Sequence, residues 1–228
     1  MFKLMRLEMK KLNVARYVRN ALAACLAISG FLFFMLYVDR ELYTASSTDF
    51  FFLVDSITRM VFIVFSGVLI SRLVIEEYND KTITLMFTYP VSRKKLMCSK
   101  LLMIICFTFF SILLSRIFAT VVLTMLDNNL HFIEGNITIQ MVIEHFRNTT
   151  LYDFSASGIS LVPLFLGLLK KSVRTTIITS IIIAAFFGAS NEDLSIGSII
   201  GVPVTFTIIG VVASYVSIRN IEHKDVLE

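Results

Sequence analysis

NALAACLAISGFLFFMLYV, residues 20–38, contains no charged side chain and no proline. Crossing a bilayer's hydrocarbon takes roughly 20 helical residues at about 1.5 Å each. No water is present there to satisfy backbone N–H and C=O groups, so an apolar run of this length has to be a helix. Moving outward, five further apolar runs follow at about 57–75, 101–126, 151–169, 175–190 and 197–218. The expected fold is an all-α integral membrane protein of six transmembrane helices, a single domain over residues 20–228. Composition agrees: 56% of the 228 residues are hydrophobic and 17% charged, with mean hydropathy +0.79, against about a quarter charged in soluble domains. The fifth run is short and borders Ser190-Asn191-Glu192-Asp193. A dip into the membrane is the alternative there, but a full crossing agrees with the charge pattern.

That pattern sets orientation, because Lys and Arg accumulate in cytoplasmic loops. The N-terminal segment holds Lys3, Arg6, Lys10, Lys11, Arg16 and Arg19, and the loop after span two holds Lys81, Arg93, Lys94, Lys95 and Lys100. The turn after span four holds Lys170, Lys171 and Arg174, and the tail holds Arg219 and Lys224, whereas the alternate loops hold only Arg40 and Arg147. Both termini are therefore expected in the cytoplasm of a multi-pass cell-membrane protein. The net charge of +4 reflects this topology and attraction to anionic lipid, and no basic patch on a soluble module points to nucleic acid.

Residues 1–19 show the spacing of an amphipathic helix on the membrane surface. Lys3, Arg6 and Lys10 continue through Asn13 and Tyr17 as one polar stripe, with Leu4, Leu7, Val14 and Val18 on another face. An ordinary basic flank is the alternative. The basic region is too long for a cleavable signal, and Ala-x-Ala-like cleavage chemistry is missing after the first span. Cys25, Cys98 and Cys106 lack metal-ligand spacing, and His131, His145 and His223 form no cluster. No metal or catalytic site is expected. The outer loop 39–56 reads as short and acidic. In the loop 127–150, Ile137, Met141, Val142 and Phe146 could form one side of an external helix, opposite Gln140, Glu144 and Arg147. Small residues recur at i, i+4, i+8 as Ala21/Cys25/Ser29, Thr176/Ser180/Ala184/Gly188 and Gly197/Gly201/Thr205. Such seams let helices approach closely, within one bundle or between copies. Pro163 and Pro203 are candidate kinks. The tight turn Lys170–Arg174 makes spans four and five antiparallel neighbours.

The most informative stretch is the cytoplasmic segment EEYNDKTITLMFTYPVSRKKLMCSK, residues 76–100. Asp80 is a plausible N-cap, and Ile83, Leu85, Met86 and Phe87 crowd apolar side chains onto two turns. Pro90 ends that element, and Ser92 can cap the helix that becomes span three. A short helix with an apolar patch hung between two spans calls for a partner.

This stretch resembles the signature of ABC-2-type transporter permeases: an acidic helix end (Glu76, Glu77), a Thr-Ile element (Thr82-Ile83), Pro90-Val91-Ser92-Arg93, and a lysine opening the third span (Lys100). Lys81 departs from the pattern, since many relatives carry Gly before the Thr, and the loop between spans three and four is large. The resemblance implies that the two-turn element is a coupling helix seated in a cytoplasmic ABC ATPase subunit. Ile83, Leu85, Met86 and Phe87 would then anchor it, and Glu76, Glu77, Arg93, Lys94 and Lys95 would form its charged rim. A loop that only holds the bilayer surface through its lysines is the alternative. The chain contains no Gly-x-x-x-x-Gly-Lys-Ser/Thr phosphate loop, so ATP and Mg would belong to the partner ATPase and no cofactor to this chain. Pairs of permease and ATPase subunits are implied, the second permease being a copy or a homologue.

Arg116 lies deep in span three, where an arginine costs about 2.5–3.5 kcal/mol on insertion scales. It is expected to face protein or a water-filled cavity, with Asp153 its nearest acidic candidate. A structural ion pair and a contact to an anionic substrate or lipid are the two readings. Arg59 and Arg72, near opposite ends of span two, are expected to snorkel. The leading function is the permease subunit of an exporter of peptides, antibiotics or lipids. The rivals are an ion-coupled secondary transporter, disfavoured because the span centres lack Asp and Glu, and a non-transporting immunity or scaffold protein.

Overall fold

The computed structural model describes residues 14–38, 45–79, 93–130, 133–134, 137–188 and 201–224. Helix α1 spans Val14–Val38, and α2 runs over Ser47–Ile70, passing through a π-helical turn at Ser71–Ile75 into the single-turn α3, Glu76–Asn79. After residues 80–92, which lie outside the described set, come α4 (Arg93–Leu130), α5 (Ile139–Ile159), α6 (Val162–Lys170), α7 (Val173–Gly188) and α8 (Gly201–Lys224). Two short extended segments, β1 (Ala45–Ser46) and β2 (Ile133–Glu134), pair in parallel and tie the α1–α2 connection to the α4–α5 connection.

Among the described residues, four stretches are long and apolar enough to cross a membrane: Ala15–Val38, Thr48–Ile75, Lys95–Asp127 and Ile139–Lys170. Two shorter apolar stretches, Val173–Phe186 and Thr207–Val216, accompany them. Large apolar side chains such as Leu26, Phe34, Phe110, Met125, Ile182 and Phe186 face outward. In water that surface would be untenable, and in hydrocarbon it is the solvent-facing side.

Helix α2 is the hub. It packs most extensively on α7 and then on α4, while α8 lies along α5 and α6 and α1 leans mainly on α4. Lipid supplies no hydrophobic drive between helices, so close approach of small residues does this work. Gly67 meets Ser180, where a Cβ would strike the serine side chain, and Gly210 lies against the Gly158 carbonyl with no space for a methyl. Thr176, Ser180 and Ala184 are buried, as are Ala21, Cys25 and Ser29, so both of these seams act inside the bundle. The third differs. Thr205 is exposed, Gly197 lies outside the described residues, and the close contact on α8 is made by Gly210 and Ser214 instead.

Two boundaries differ from the expected ones. Helix α2 begins at Ser47, so Asp55 lies two turns inside a helix, not in an outer loop. Asp49 in the first turn complements the helix N-terminus, and Phe50, Phe51 and Val54 are already buried core. Likewise the expected external helix of the 127–150 loop is continuous with span four, as α5. Ile137 and Val142 pack onto the core, while Met141, Gln140, Glu144 and Arg147 are exposed. The helix breaks at Ser160–Leu161, and Pro163 sits in the first turn of α6, where its missing N–H costs little. Pro203 similarly falls in the first turn of α8. The α6–α7 turn closes on Lys171 in the left-handed conformation (φ 46°), with the Ser172 N–H bonded to the Gly167 carbonyl at 3.2 Å. Helices α6 and α7 are neighbours, as the shortness of this turn requires.

The interior divides into two clusters. One joins α1, α2 and α4 around Leu32, Phe50, Phe62, Ile63 and Ile112. The other surrounds the π-turn with Ile70, Leu73, Ile75, Ile104 and Leu164. Each is bordered by a group of charges.

Candidate functional site

At the π-turn end, the charges are Glu77 and Lys100. The π-turn adds a residue to the helical ladder, so the Glu76 N–H bonds back to the Ser71 carbonyl, and Ser71 Oγ donates to the Val68 carbonyl at 2.8 Å. Such single π-turns are concentrated at functional sites. Lys100, on the second turn of α4, is only 3% exposed. Its Nζ donates to the Leu73 carbonyl inside the π-turn at 3.1 Å and pairs with the Glu77 carboxylate. A buried ammonium is tolerated only when paired. This one clamps the two helices that frame residues 80–92.

Of the residues expected to carry coupling, the structure thus places Glu76 (exposed), Glu77 and Lys100. Arg93 begins α4, and Thr82, Ile83, Leu85, Met86, Phe87, Pro90 and Ser92 lie outside the described residues, as do Lys3, Arg6 and Lys10.

The second group lies near the opposite end of the α2–α4 pair. Arg116 is 1% exposed; its Nη1 stands 2.7 Å from Asp153 Oδ2 and 3.6 Å from Asp55 Oδ2. The Nη1 hydrogen bond goes to Thr149 Oγ1 at 2.7 Å, so the Asp153 contact is an ion pair off the hydrogen-bond line. The guanidinium lies over the Phe146 ring, 4.1 Å from its centroid. Arg59 does not snorkel. Its Nε donates to Asp153 Oδ1 at 3.0 Å and its Nη2 to Asp55 Oδ2 at 2.9 Å, because Asp55 sits one turn away on the same face. His145 Nε2 meets Asp55 Oδ2 at 3.0 Å and its ring stacks on Phe51. Arg72, by contrast, is exposed.

Two guanidiniums and two carboxylates therefore balance inside the bundle, bridging α2, α4 and α5. The sequence points to Arg116 and Asp153 but not to Asp55, Arg59 or His145. The Asp55/Arg59 spacing of i, i+4 was the available signal, obscured by assigning Asp55 to a loop. Asp153 also moves inward. In the 32-residue stretch Ile139–Lys170 it stands near the middle, so acidic residues are not missing from span centres. Both of these acids are paired with arginines, however, so neither is a lone carboxylate of the kind that couples an ion gradient. Asp55 Oδ1, Thr58 Oγ1, Ser115 Oγ, Arg116 Nε and Ser155 Oγ are buried without a hydrogen-bond partner among the described residues.

A predominantly helical bundle with several membrane-length helices and ion pairs inside it defines a multi-pass membrane protein. A family model described as "ABC-2 family transporter protein" matches residues 4–191, and the chain belongs to that family. A Bacillus subtilis (strain 168) protein described as "Uncharacterized protein YcbO" is 38% identical over 225 residues, covering 97% of this chain and 99% of its own length. No solved structure matches. Permeases of this family are the non-catalytic membrane subunits of ABC transporters.

Proposed function

We propose that the chain is a six-span permease subunit of an ABC exporter with both termini in the cytoplasm, driven by a separate ATPase. The carrying observation is the match to the ABC-2 family, joined to the Glu77–Lys100 clamp on the helices that bound residues 80–92. In this reading the segment between them docks on the ATPase. Ile83, Leu85, Met86 and Phe87 fill its groove, while Glu76, Arg93, Lys94 and Lys95 set partner choice. ATP and Mg bind the partner, whose closure pulls on α2 and α4 together through the clamp. In this reading α7 and α8 complete spans five and six, consistent with the alternation of basic loops. A second permease copy or homologue completes the pathway. The cargo is hydrophobic or amphipathic, a peptide, antibiotic or lipid, in keeping with apolar and hydroxyl-bearing helices.

Co-purification with candidate cytoplasmic ABC ATPases tests this, followed by ATPase and export assays. Met86→Asp and Phe87→Asp are expected to abolish co-purification while leaving the chain folded and inserted. Failure of every such ATPase to bind, with both variants supporting wild-type export, would overturn the reading.

A further inference from the structure

A groove of about 320 Å³ opens between α1 and α4, lined by Leu22, Cys25, Met103, Cys106, Phe110 and Leu114 among others, with almost entirely apolar walls. Its α4 wall, from Met103 to Leu114, rises about 16 Å at the helical pitch. That is about half of a hydrocarbon core of roughly 30 Å, the depth of one leaflet. Helices α1 and α4 both start at the same end of this groove, and both carry exposed cations there: Arg16 and Arg19 on α1, Lys95 on α4. Arg19 precedes Leu22 by one turn. Lys95, Ser99 and Met103 follow at i, i+4, i+8, so the lysine lies below the groove wall on the same stripe. None of the three makes an ion pair with another described residue.

We infer that this groove binds one acyl chain of an anionic phospholipid, whose phosphate is held at its mouth by Arg19 and Lys95. The apolar slot fits a single chain of one leaflet, and the cations at its mouth select a negative headgroup over a zwitterionic one. A second copy of this chain seated in the same groove would bring its own like-charged helix starts to the mouth, which disfavours that occupant. The proposal rests on the membrane fold and stands independently of the transport reading.

Cys106 lines the groove and is exposed, whereas Cys25 is buried, which supplies a probe. In the full-length chain bearing Cys98→Ala, maleimide labelling of Cys106 is followed in maltoside micelles doped with phosphatidylglycerol or with phosphatidylcholine of the same acyl chains. Phosphatidylglycerol is expected to slow labelling about fivefold more than phosphatidylcholine, through attraction to the basic mouth. Arg19→Gln with Lys95→Gln should erase that difference at unchanged helix content. Native mass spectrometry of the wild-type chain gives a reading that needs no variant, with phosphatidylglycerol retained in preference to phosphatidylcholine. Equal protection by both lipids, a preference that survives the double substitution, protection that follows protein rather than lipid concentration, or retention of both lipids alike would each overturn the assignment.

Discussion

At one end of the α2–α4 pair, Asp55, Arg59, Arg116 and Asp153 share their charges among three helices, with every guanidinium touching two carboxylates. At the other end, about 33 Å along α2 by helical rise, one ammonium meets one carboxylate and one carbonyl of a π-turn. The first arrangement is redundant. Loss of any single contact leaves the others, and opening it strands several charges in low dielectric at once. The second centres on Lys100, which meets the Leu73 carbonyl and the Glu77 carboxylate, and Glu77 is partly open. Under the proposed function an ATPase pulls at the clamp end, and the four-charge cluster is the end expected to stay fixed.

The comparison is broken most directly at Asp153. Asp153→Asn leaves Arg59 and Arg116 around a single remaining carboxylate, and stability in micelles is expected to fall by about 3–5 kcal/mol, as when one partner of a buried ion pair is removed. Denaturant unfolding of the purified chain measures this. A loss under about 1 kcal/mol, the range of solvated pairs, would mean that the cluster is wet and the asymmetry between the ends absent. Arg116→Lys keeps the charge but not the planar guanidinium, whose Nη1 meets Asp153 and Thr149 while Nη2 donates to the Phe146 carbonyl at 3.4 Å. It should cost about 2 kcal/mol, in the range of hydrogen bonds to charged groups.

How much of this was legible follows from how hydropathy treats charge. Residues 20–38 and 101–126 read cleanly because nothing in them interrupts the apolar run, and they lie within α1 and α4. The starts of α2 and α5 did not. Asp55 looks like a reason to end a span, and Arg59 and Asp153 stand close to the expected starts at 57 and 151, yet in the bundle the three cancel one another across helices. A one-dimensional scan charges each of them the full insertion cost and sees none of the pairing. Arg116 and Asp153 were still linked, because matching depth in two neighbouring spans is a property of spacing. Lys100 was legible as the opening of span three and Glu77 as part of an acidic helix end, but nothing in the sequence paired them. The π-turn between Ser71 and Ile75 was not expected either, and its Leu73 carbonyl accepts from a lysine 27 positions away.

At the clamp the expected effects are smaller in stability and larger in function. Lys100→Gln and Glu77→Gln should each lower stability by about 1–2 kcal/mol, since the pair is only partly enclosed. A double-mutant cycle should return a coupling of about 1 kcal/mol. Under the proposed function both variants should also uncouple ATP hydrolysis from export well beyond what their stability losses explain, whereas Arg116→Lys should not. Equal uncoupling at both ends would remove the distinction between a fixed and a moving end.

The smallest expected effect tests how dry the redundant end is. Thr58 is fully buried one turn from Asp55, and its hydroxyl has no hydrogen-bond partner among the described residues. Thr58→Val removes that unsatisfied group at nearly constant shape, so it should be neutral or should stabilise by up to about 1 kcal/mol. If a water instead bridges Thr58 to the open Asp55 oxygen, the same substitution strands both and lowers stability by about 1–3 kcal/mol. Hydration would then lubricate the charge cluster and loosen the end that these contacts hold fixed. A neutral or stabilising result keeps the cluster dry, its charges answered only by one another.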